Sequence, residues 1–247
     1  MSESAESLHR AERDDEVSQA FDPSAMNGIR KNDRLDVSAM ARDEAIKLVE
    51  RLFLSVGPKP APRAVVFASV DPGDGSGTVC ACAGVALAAQ VRRSVCMVDA
   101  NFYAPSLHRH FGAEDNFGLI DAAAQQGPIR SFARQISGGN LWLVTCGGRS
   151  ANPHTLLASE GMRARVAELR SEFDYVLMDA PAVNINGTAT LLGPLADGIV
   201  LIVEANSTRR EVARKAKENL ELANVRLLGA VLNNRTFPIP EAIYRSL

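Results

Sequence analysis

The sequence predicts an α/β fold, with a doubly wound and mostly parallel sheet that carries helices on both faces. Three observations support this prediction. Short apolar runs alternate along the chain with longer segments of helical pattern, which is typical of a parallel sheet built from β–α–β units. Several of the runs are almost entirely apolar, as strands buried on both faces are. The 247 residues are enough for one such domain and a tail.

Composition divides the chain into three parts. Residues 1–36 are polar and of mixed charge, which predicts a disordered tail, because such a segment buries too little apolar surface to offset its loss of entropy. Residues 37–62 contain a predicted helix, from Ser38 to Leu54, and a stiff proline-rich linker. Residues 63–247 form the predicted α/β domain.

Six strands and three helices are predicted within the α/β domain. The strands are the apolar runs Ala64–Ser69, Ser94–Asp99, Leu141–Thr145, Tyr175–Asp179, Gly198–Val203 and Leu227–Asn233. The helices cover Thr78–Gln90, Pro153–Ser171 and Thr208–Ala223. Ligands of such sheets bind beyond the carboxyl ends of the strands, so the segments after the first, second and fourth strands hold the candidate site.

Charge and hydropathy exclude several classes of function. The formal net charge is −2, so no general affinity for nucleic acid is expected. No apolar run approaches the ~20 residues of a membrane span, and the N-terminus lacks the apolar core of a signal peptide. These features predict a cytoplasmic protein without a membrane span, whose contact with a membrane would be made through a partner.

A glycine-rich loop after the first strand carries the main functional signal. It reads Pro72-Gly73-Asp74-Gly75-Ser76-Gly77-Thr78. A strand, a glycine loop and a helix N-terminus together form the layout in which backbone N–H groups cradle phosphate. Such loops usually end in Gly-Lys-Ser/Thr, whose Lys reaches the β- and γ-phosphates and whose hydroxyl holds Mg²⁺. Ser76 and Gly77 stand at those two positions, and no lysine lies between Lys59 and Lys215.

Two carboxylates are expected at the same edge of the sheet as the loop. Asp99 and Asp179 each end an apolar strand. A carboxylate at a strand end can hold Mg²⁺ or orient an attacking group. It can equally be a solvated strand end or a helix cap. The residues alone leave both interpretations open.

The order of these motifs resembles the bacterial tyrosine kinases (BY-kinases) of capsule and exopolysaccharide synthesis, in the MinD/ParA-like group of P-loop proteins. That family has Pro-Gly-Glu-Gly-Lys-Ser-Thr in the loop and Val-Asp-x-Asp-x-Arg-x-Pro-x-x-His-x-x-Phe after the second strand. The second pattern matches Val98–Phe111 here. Further family patterns match Asn152-Pro153, Phe173–Pro181 and Leu228–Asn233, so the resemblance covers about residues 44–235.

The resemblance implies a P-loop NTPase fold, ATP and Mg²⁺ as cofactors, and a specific set of site residues. The nucleotide-binding positions would be Gly73, Asp74, Gly75, Ser76, Gly77, Thr78 and Asn233. The metal-binding positions would be Asp99, Asn101 and Asp179, of which the two aspartates would also be the catalytic ones. The implied partner is the cytoplasmic segment of a membrane polysaccharide co-polymerase, which would hold the protein at the inner membrane, and a homo-oligomer is also implied.

The departures from the family pattern fall on the chemical groups. The family Lys maps to Ser76, the metal-binding hydroxyl to Gly77 and the second Asp of the second-strand motif to Asn101. The C-terminal tyrosine cluster is reduced to Tyr244. Phosphoryl transfer depends on positioning and charge neutralisation. The sequence therefore predicts a pseudokinase, a regulatory or scaffolding protein with a degenerate phosphate-binding loop.

Two alternative functions remain open from the sequence. The first is a weakly active kinase or ATPase that uses another cation, for which Arg149 and Arg209 are the candidates. The second is a MinD/ParA-like positioning switch. That class normally needs a loop lysine for ATP-driven dimerisation, and its membrane binders add an amphipathic C-terminal helix; neither feature is recognisable in the sequence.

Overall fold

The computed structural model describes residues 39–55, 60–136, 138–148, 152–185 and 187–235. The predicted tail (1–36), Arg149 and Tyr244 lie outside these residues, as does part of the proline-rich linker. Within the described part, no helix is long and apolar enough to cross a membrane. The boundaries predicted for the three parts of the chain remain a prediction.

A seven-stranded sheet forms the centre of the molecule. Its strands are β1 (Ala64–Ser69), β2 (Val95–Asp99), β3 (Arg134–Ile136), β4 (Leu141–Val144), β5 (Tyr175–Ala180), β6 (Gly198–Glu204) and β7 (Leu227–Asn233). The order across the sheet is β3-β4-β2-β5-β1-β6-β7. All neighbouring pairs are parallel except β3 and β4. The predicted doubly wound, mostly parallel sheet is therefore confirmed, with β3 as an additional antiparallel edge strand.

Eight α-helices connect and cover the described strands. They are α1 (Ala39–Val49), α2 (Ser76–Gln90), α3 (Leu107–His110), α4 (Leu119–Ala124), α5 (Pro153–Ala158), α6 (Glu160–Glu172), α7 (Thr188–Leu192) and α8 (Arg210–Leu222). A π-helical turn, Glu50–Leu54, extends α1, and short 3₁₀ turns lie at Ile129–Phe132 and Gly193–Leu195.

One predicted helix is two helices in the structure. The sequence pattern predicts a continuous helix over Pro153–Ser171, but Ser159 has an extended backbone and separates α5 from α6. Its hydroxyl accepts a hydrogen bond from the N–H of Met162 at 3.1 Å and so caps the second helix. The prediction of one helix is wrong. The spacing of the apolar residues is compatible both with one continuous helix and with two helices separated by a capping serine.

The core consists of two buried apolar layers, one on each face of the sheet. Successive side chains of β1 alternate between them: Val66 belongs to one layer and Phe67 to the other. Helix α1 adds Val49 and Phe53 to the second layer. Strands β2 to β5 lie on one side of β1 in the sheet, and the later strands β6 and β7 lie on the other side. The carboxyl end of β1 therefore lies at the change of direction, where α/β sheets open a crevice for ligands.

Candidate functional site

The glycine loop joins β1 to α2 at this crevice. Gly73 and Gly75 have φ values of +95° and +85°, a left-handed conformation that residues with a Cβ rarely adopt. Asp74, between them, is buried and accepts hydrogen bonds from the Asp71 N–H at 3.1 Å and the Thr208 hydroxyl at 3.3 Å. The loop thus has the strand–turn–helix shape of a phosphate-binding loop, and it directs the N-terminus of α2 into the crevice.

Asn233 closes over the loop from the end of β7. Its side-chain amide donates a hydrogen bond of 2.8 Å to the Asp74 carbonyl. A Cβ on Gly75 would lie 2.6 Å from the same amide nitrogen, so the two residues are packed directly against each other. The structure therefore brings Asn233 to the predicted site, where it binds the backbone of the loop; its contact with a nucleotide remains a prediction.

Asp99 and Asp179 meet at the same edge of the sheet, as their strand-end positions predict. They are directly paired in the register of β2 and β5, and both are fully buried. Asp99 accepts hydrogen bonds from the backbone N–H groups of Asn101, Ser106 and Leu107, at 3.2, 2.8 and 2.9 Å. Burial raises the pKa of Asp99 to about 6, although these hydrogen bonds oppose the shift. Asp99 thus acts as the cap of the short helix α3.

Asp179 lacks such partners. Both of its carboxylate oxygens are buried, and neither accepts a hydrogen bond of ordinary geometry from the described residues. Burial, and then the nearby charge of Asp99, raise the pKa of Asp179 well above its ordinary value. The polar side chains of Ser76 and Asn101 oppose this shift. A buried carboxylate without a partner is costly unless it holds a proton or a cation.

Gly77 marks the place where a loop hydroxyl would face the carboxylates. A Cβ at Gly77 would lie 3.2 Å from Oδ2 of Asp179, but only 2.1 Å from the hydroxyl oxygen of Ser106. No carbon atom fits at that distance from an oxygen to which it is not bonded. The Ser106 hydroxyl therefore fills the space into which a side chain at position 77 would extend.

The remaining predicted positions lie around this centre. Ser76 begins α2 and is buried, whereas Thr78, in the first turn of α2, is exposed. Asn101 uses its Oδ1 to accept a hydrogen bond from the Ala104 N–H at 3.2 Å. None of the ion pairs in the described part of the chain includes a loop residue.

The residues present fit ATP and Mg²⁺ in part. The loop and the N-terminus of α2 suit an anion. The Asp179 carboxylate has the chemistry of a cation ligand, because neither of its buried oxygens accepts a hydrogen bond from the described residues and oxygen is the ligand that Mg²⁺ prefers. Asp99 is already committed to three backbone groups, and the described residues contain no cluster of three or more His, Cys, Asp or Glu side chains around a metal position. The loop lacks the cation that neutralises a transferring phosphoryl group.

Two residues at the site are missing from the sequence-based prediction. Ser106 reaches the loop from the segment after β2, and Thr208 reaches Asp74 from the segment before α8. Thr208 offered no recognisable signal. For Ser106 a signal existed, because a glycine in place of a loop hydroxyl leaves a space that a neighbouring side chain is free to fill.

Several bacterial proteins are similar to this chain in sequence. No protein-family model matches the chain. Tyrosine-protein kinase YwqD of Bacillus subtilis is 31% identical over 173 residues, which are 70% of this chain and 73% of that protein. Tyrosine-protein kinase CpsD of Streptococcus agalactiae is 25% identical, over 68% and 74%. Succinoglycan biosynthesis transport protein ExoP of Rhizobium meliloti is 29% identical, over 69% of this chain but only 22% of that longer protein.

Solved structures show the same fold. The chimerical protein CapA2B2 matches with a TM-score of 0.74 at 24% identity, over 81% of this chain and 87% of that one. The septum site-determining protein MinD of Pyrococcus horikoshii, complexed with Mg-ADP, matches with a TM-score of 0.59 at 21% identity, over 75% and 77%. At these identities the likeness concerns the fold alone, and it confirms the predicted P-loop type of α/β domain.

Proposed function

The chain belongs to the bacterial tyrosine-protein kinases, and on that basis we propose that it is a catalytically impaired member, a regulatory or scaffolding subunit of exopolysaccharide or capsule synthesis. The proposed process follows the relatives, one of which is named for succinoglycan biosynthesis transport. The proposed impairment follows the site, because the loop has kept its shape while the groups that neutralise phosphate charge are absent from it.

The loop positions carry this proposal. Ser76 stands where the family has its lysine, and the buried Ser76 side chain faces a carboxylate that has no cationic partner. A charged donor aimed at the transferring phosphoryl group contributes about 3 kcal/mol or more to the transition state. Without that donor, no side chain of the loop carries a positive charge that could offset the negative charge of the ATP phosphates. Efficient turnover is not expected from such a site.

Residual nucleotide binding is compatible with this function. The backbone N–H groups at the N-terminus of α2 attract phosphate whatever the side chains are. We therefore expect ATP or ADP to bind weakly through the loop, with Mg²⁺ contributing little to the affinity. A bound nucleotide would then serve as a regulatory ligand rather than as a substrate.

A partner at the membrane completes the proposal. We propose that the domain docks on the cytoplasmic segment of a membrane polysaccharide co-polymerase, and that it reaches the inner membrane through this contact. The described residues contain no helix that spans a bilayer, so a partner would have to supply the attachment. The match of this chain to a fifth of a longer transport protein supports an arrangement in which such a domain works beside a transport component.

A phosphoryl-transfer assay with two variants tests the proposal. The full chain is incubated with radiolabelled ATP, Mg²⁺ and a tyrosine-containing peptide. We expect no transfer above that of an Asp179→Ala control. The second variant carries Ser76→Lys, Gly77→Ser and Ser106→Ala, which restore the loop cation and hydroxyl and remove the overlap with Ser106. We expect this triple variant to bind ATP at least about tenfold more tightly than the natural chain. Transfer by the natural chain that Asp179→Ala abolishes would overturn the proposal.

A weakly active enzyme is the second candidate, and one contact favours it. The hydroxyl of Thr208 reaches the loop at Asp74, and Arg209 is the next residue along the chain. A guanidinium at that position is close in sequence to the loop contact and would offer an alternative cation for the phosphates. ATP hydrolysis that is lost in Arg209→Gln but kept in Arg210→Gln would establish this function instead.

A further inference from the structure

A cavity of about 300 Å³ opens at the amino end of the sheet, away from the glycine loop. Its wall includes the residues that lead into β1, β6 and β7. Three arginines line it, namely Arg63 before β1, Arg170 in α6 and Arg226 before β7. Among the described residues that line the cavity, Asp197 is the one acidic side chain. The cavity therefore carries more positive than negative charge.

The negative charge of Asp197 is already satisfied within the protein. Its carboxylate accepts hydrogen bonds from the N–H groups of Arg63 and Ala64 at 2.7 and 2.9 Å. It also pairs with the Arg170 guanidinium at 2.7 Å. Burial alone would raise the pKa of Asp197, but these donors outweigh burial and lower the pKa overall. Asp197 therefore stays ionised and compensates one of the three arginines, Arg170.

The positive charges of the other two arginines are not compensated by a carboxylate. The Arg63 guanidinium donates hydrogen bonds to two neutral backbone carbonyls, those of Asp174 at 2.8 Å and Phe173 at 3.3 Å. The Arg226 side chain is exposed and has no hydrogen-bond or ion-pair partner among the described residues. Neither guanidinium forms an ion pair with a carboxylate in the described part of the chain. Two cationic groups thus remain available at one cavity.

The chemistry of the wall favours an anion that is attached to an apolar body. Guanidinium groups bind the oxygens of phosphates and carboxylates through paired N–H donors. A phosphate monoester carries about 1.5 to 2 negative charges at neutral pH, so it matches two free cations better than a single carboxylate does. The apolar residues Pro60, Ala61 and Phe173 line the same cavity and offer a surface for the group that carries the phosphate.

We propose that this cavity binds a phosphate monoester carried on an apolar body, and that Arg226 and Arg63 contact the phosphate. The inference goes beyond the proposed function, because the cavity lies at the opposite end of the sheet and uses no residue of the glycine loop. Arg63 is held in place by the two carbonyls before β5. Arg226 supplies the free donor. A bound ligand would connect the segments before β1 and β7 and so stabilise the folded chain.

Phenyl phosphate binding to the full chain tests the inference. The probe is titrated by calorimetry at low ionic strength, where charge interactions are least screened. We expect saturable binding, about tenfold tighter than that of glucose 1-phosphate, because only the phenyl group can use the apolar wall. Amide chemical shifts locate the site. We expect the shifts to change at residues 60–64 and 226–228 and not only in the loop at 73–78.

Arg226→Gln is the decisive variant. Because the Arg226 side chain has no hydrogen-bond or ion-pair partner among the described residues, its removal should not disturb the fold, and thermal scans without ligand check this. We expect it to weaken phenyl phosphate binding about tenfold or more, since a charged donor to the phosphate is lost. Arg214→Gln is the matched control. It removes an exposed arginine of α8 that does not line the cavity, so it should leave binding unchanged.

Any one of four results would overturn the inference. These are no saturable binding of phenyl phosphate, equal binding by Arg226→Gln and the natural chain, glucose 1-phosphate bound as tightly as phenyl phosphate, and shift changes confined to residues 73–78. The outcome is independent of the phosphoryl-transfer assay. A chain that neither transfers phosphate nor binds phenyl phosphate at the cavity keeps the proposed function and loses this inference. Phosphoryl transfer overturns the proposed function whether or not the cavity binds its ligand.

Discussion

Asp197 and Asp179 lie at opposite ends of the same sheet and differ in how their charge is satisfied. Asp197, at the start of β6, accepts hydrogen bonds from the N–H groups of Arg63 and Ala64 at 2.7 and 2.9 Å, and pairs with the Arg170 guanidinium at 2.7 Å. Asp179, at the end of β5, has no such partner within the described residues. The Asp197 carboxylate joins three segments, namely the start of β1, α6 and the residue before β6, whereas the Asp179 carboxylate accepts no hydrogen bond from the described residues.

The pKa values of the two groups shift in opposite directions for this reason. Burial raises the pKa of Asp197, but the N–H groups of Ala64 and Arg63 and the Arg170 guanidinium outweigh burial, so its pKa is lowered overall. Burial and the neighbouring Asp99 both raise the pKa of Asp179. The comparison teaches that the half-buried Asp197 carboxylate, with its set of donors, is structural, whereas a fully buried carboxylate without donors marks a candidate position for a ligand.

Removal of Asp197 should have the largest effect on stability. Asp197→Ala leaves two backbone N–H groups and the Arg170 side chain without their acceptor, so we expect unfolding to become easier by about 3 kcal/mol. Urea denaturation at neutral pH measures this. Glu218→Gln is a matched control, because it breaks the exposed ion pair with Arg214 and should cost about 0.5 kcal/mol or less. Equal losses in the two variants would show that Asp197 is not the structural group of the pair.

The strands buried on both faces are the part of the fold that the sequence predicts best. All six predicted strands are within one residue of their observed ends at both termini, for instance Ser94–Asp99 against Val95–Asp99. Strands buried on both faces must be continuous apolar runs, and such runs are visible in a sequence. Strand β3 was missed because two of its three residues, Arg134 and Gln135, are exposed at the sheet edge, where no apolar pattern is required.

In the candidate site, too, some features are predictable from the sequence and others are not. Asp99 and Asp179 were expected to meet, because the carboxyl ends of neighbouring parallel strands share one edge. Which of them is capped and which is unpartnered depends on the path of the segment from Asn101 to Leu107, and that path is set by tertiary packing. The same path decides that Ser106 is the residue that fills the space beside Gly77, so the glycine signals the space but not its occupant. Strand ends are predictable from local pattern, whereas the hydrogen-bond partners of a side chain come from segments far away in sequence.

The contributions of Asp179 and Asp197 to stability should change with pH in opposite directions. Asp179 has a raised pKa in the folded state, so its contribution to stability is fully present below the unfolded value of about 3.8 and is lost as the pH rises through the folded value. Asp197 has a lowered pKa, so its contribution is present above the unfolded value and is lost as the pH falls towards the folded value. Asp179 should therefore destabilise the fold at alkaline pH, and Asp197 should stabilise it.

Asp179→Asn tests this sign. With a chelator present to exclude metal, we expect the stability advantage of the variant over the natural chain to be larger at pH 8 than near pH 4, because the amide carries no charge to bury. Unfolding free energies from urea titrations at each pH give the difference. A constant difference across the whole pH range would mean that the pKa of Asp179 is not raised in the folded chain.

Loss of the Asn233 amide should have the smallest effect. Asn233→Ala removes the hydrogen bond to the Asp74 carbonyl, which is worth about 1 kcal/mol, and Asn116→Ala removes an exposed amide contact of little expected value. Amide hydrogen exchange measures the effect of each substitution on local opening of the backbone. We expect faster exchange in Asn233→Ala at loop residues 73–78 and at the start of α2, with the rest of the sheet unaffected. Unchanged exchange at these residues would mean that the loop keeps its shape through its glycines and Asp74 alone. The carboxyl end of the sheet, like the amino end, would then be held by its own internal contacts.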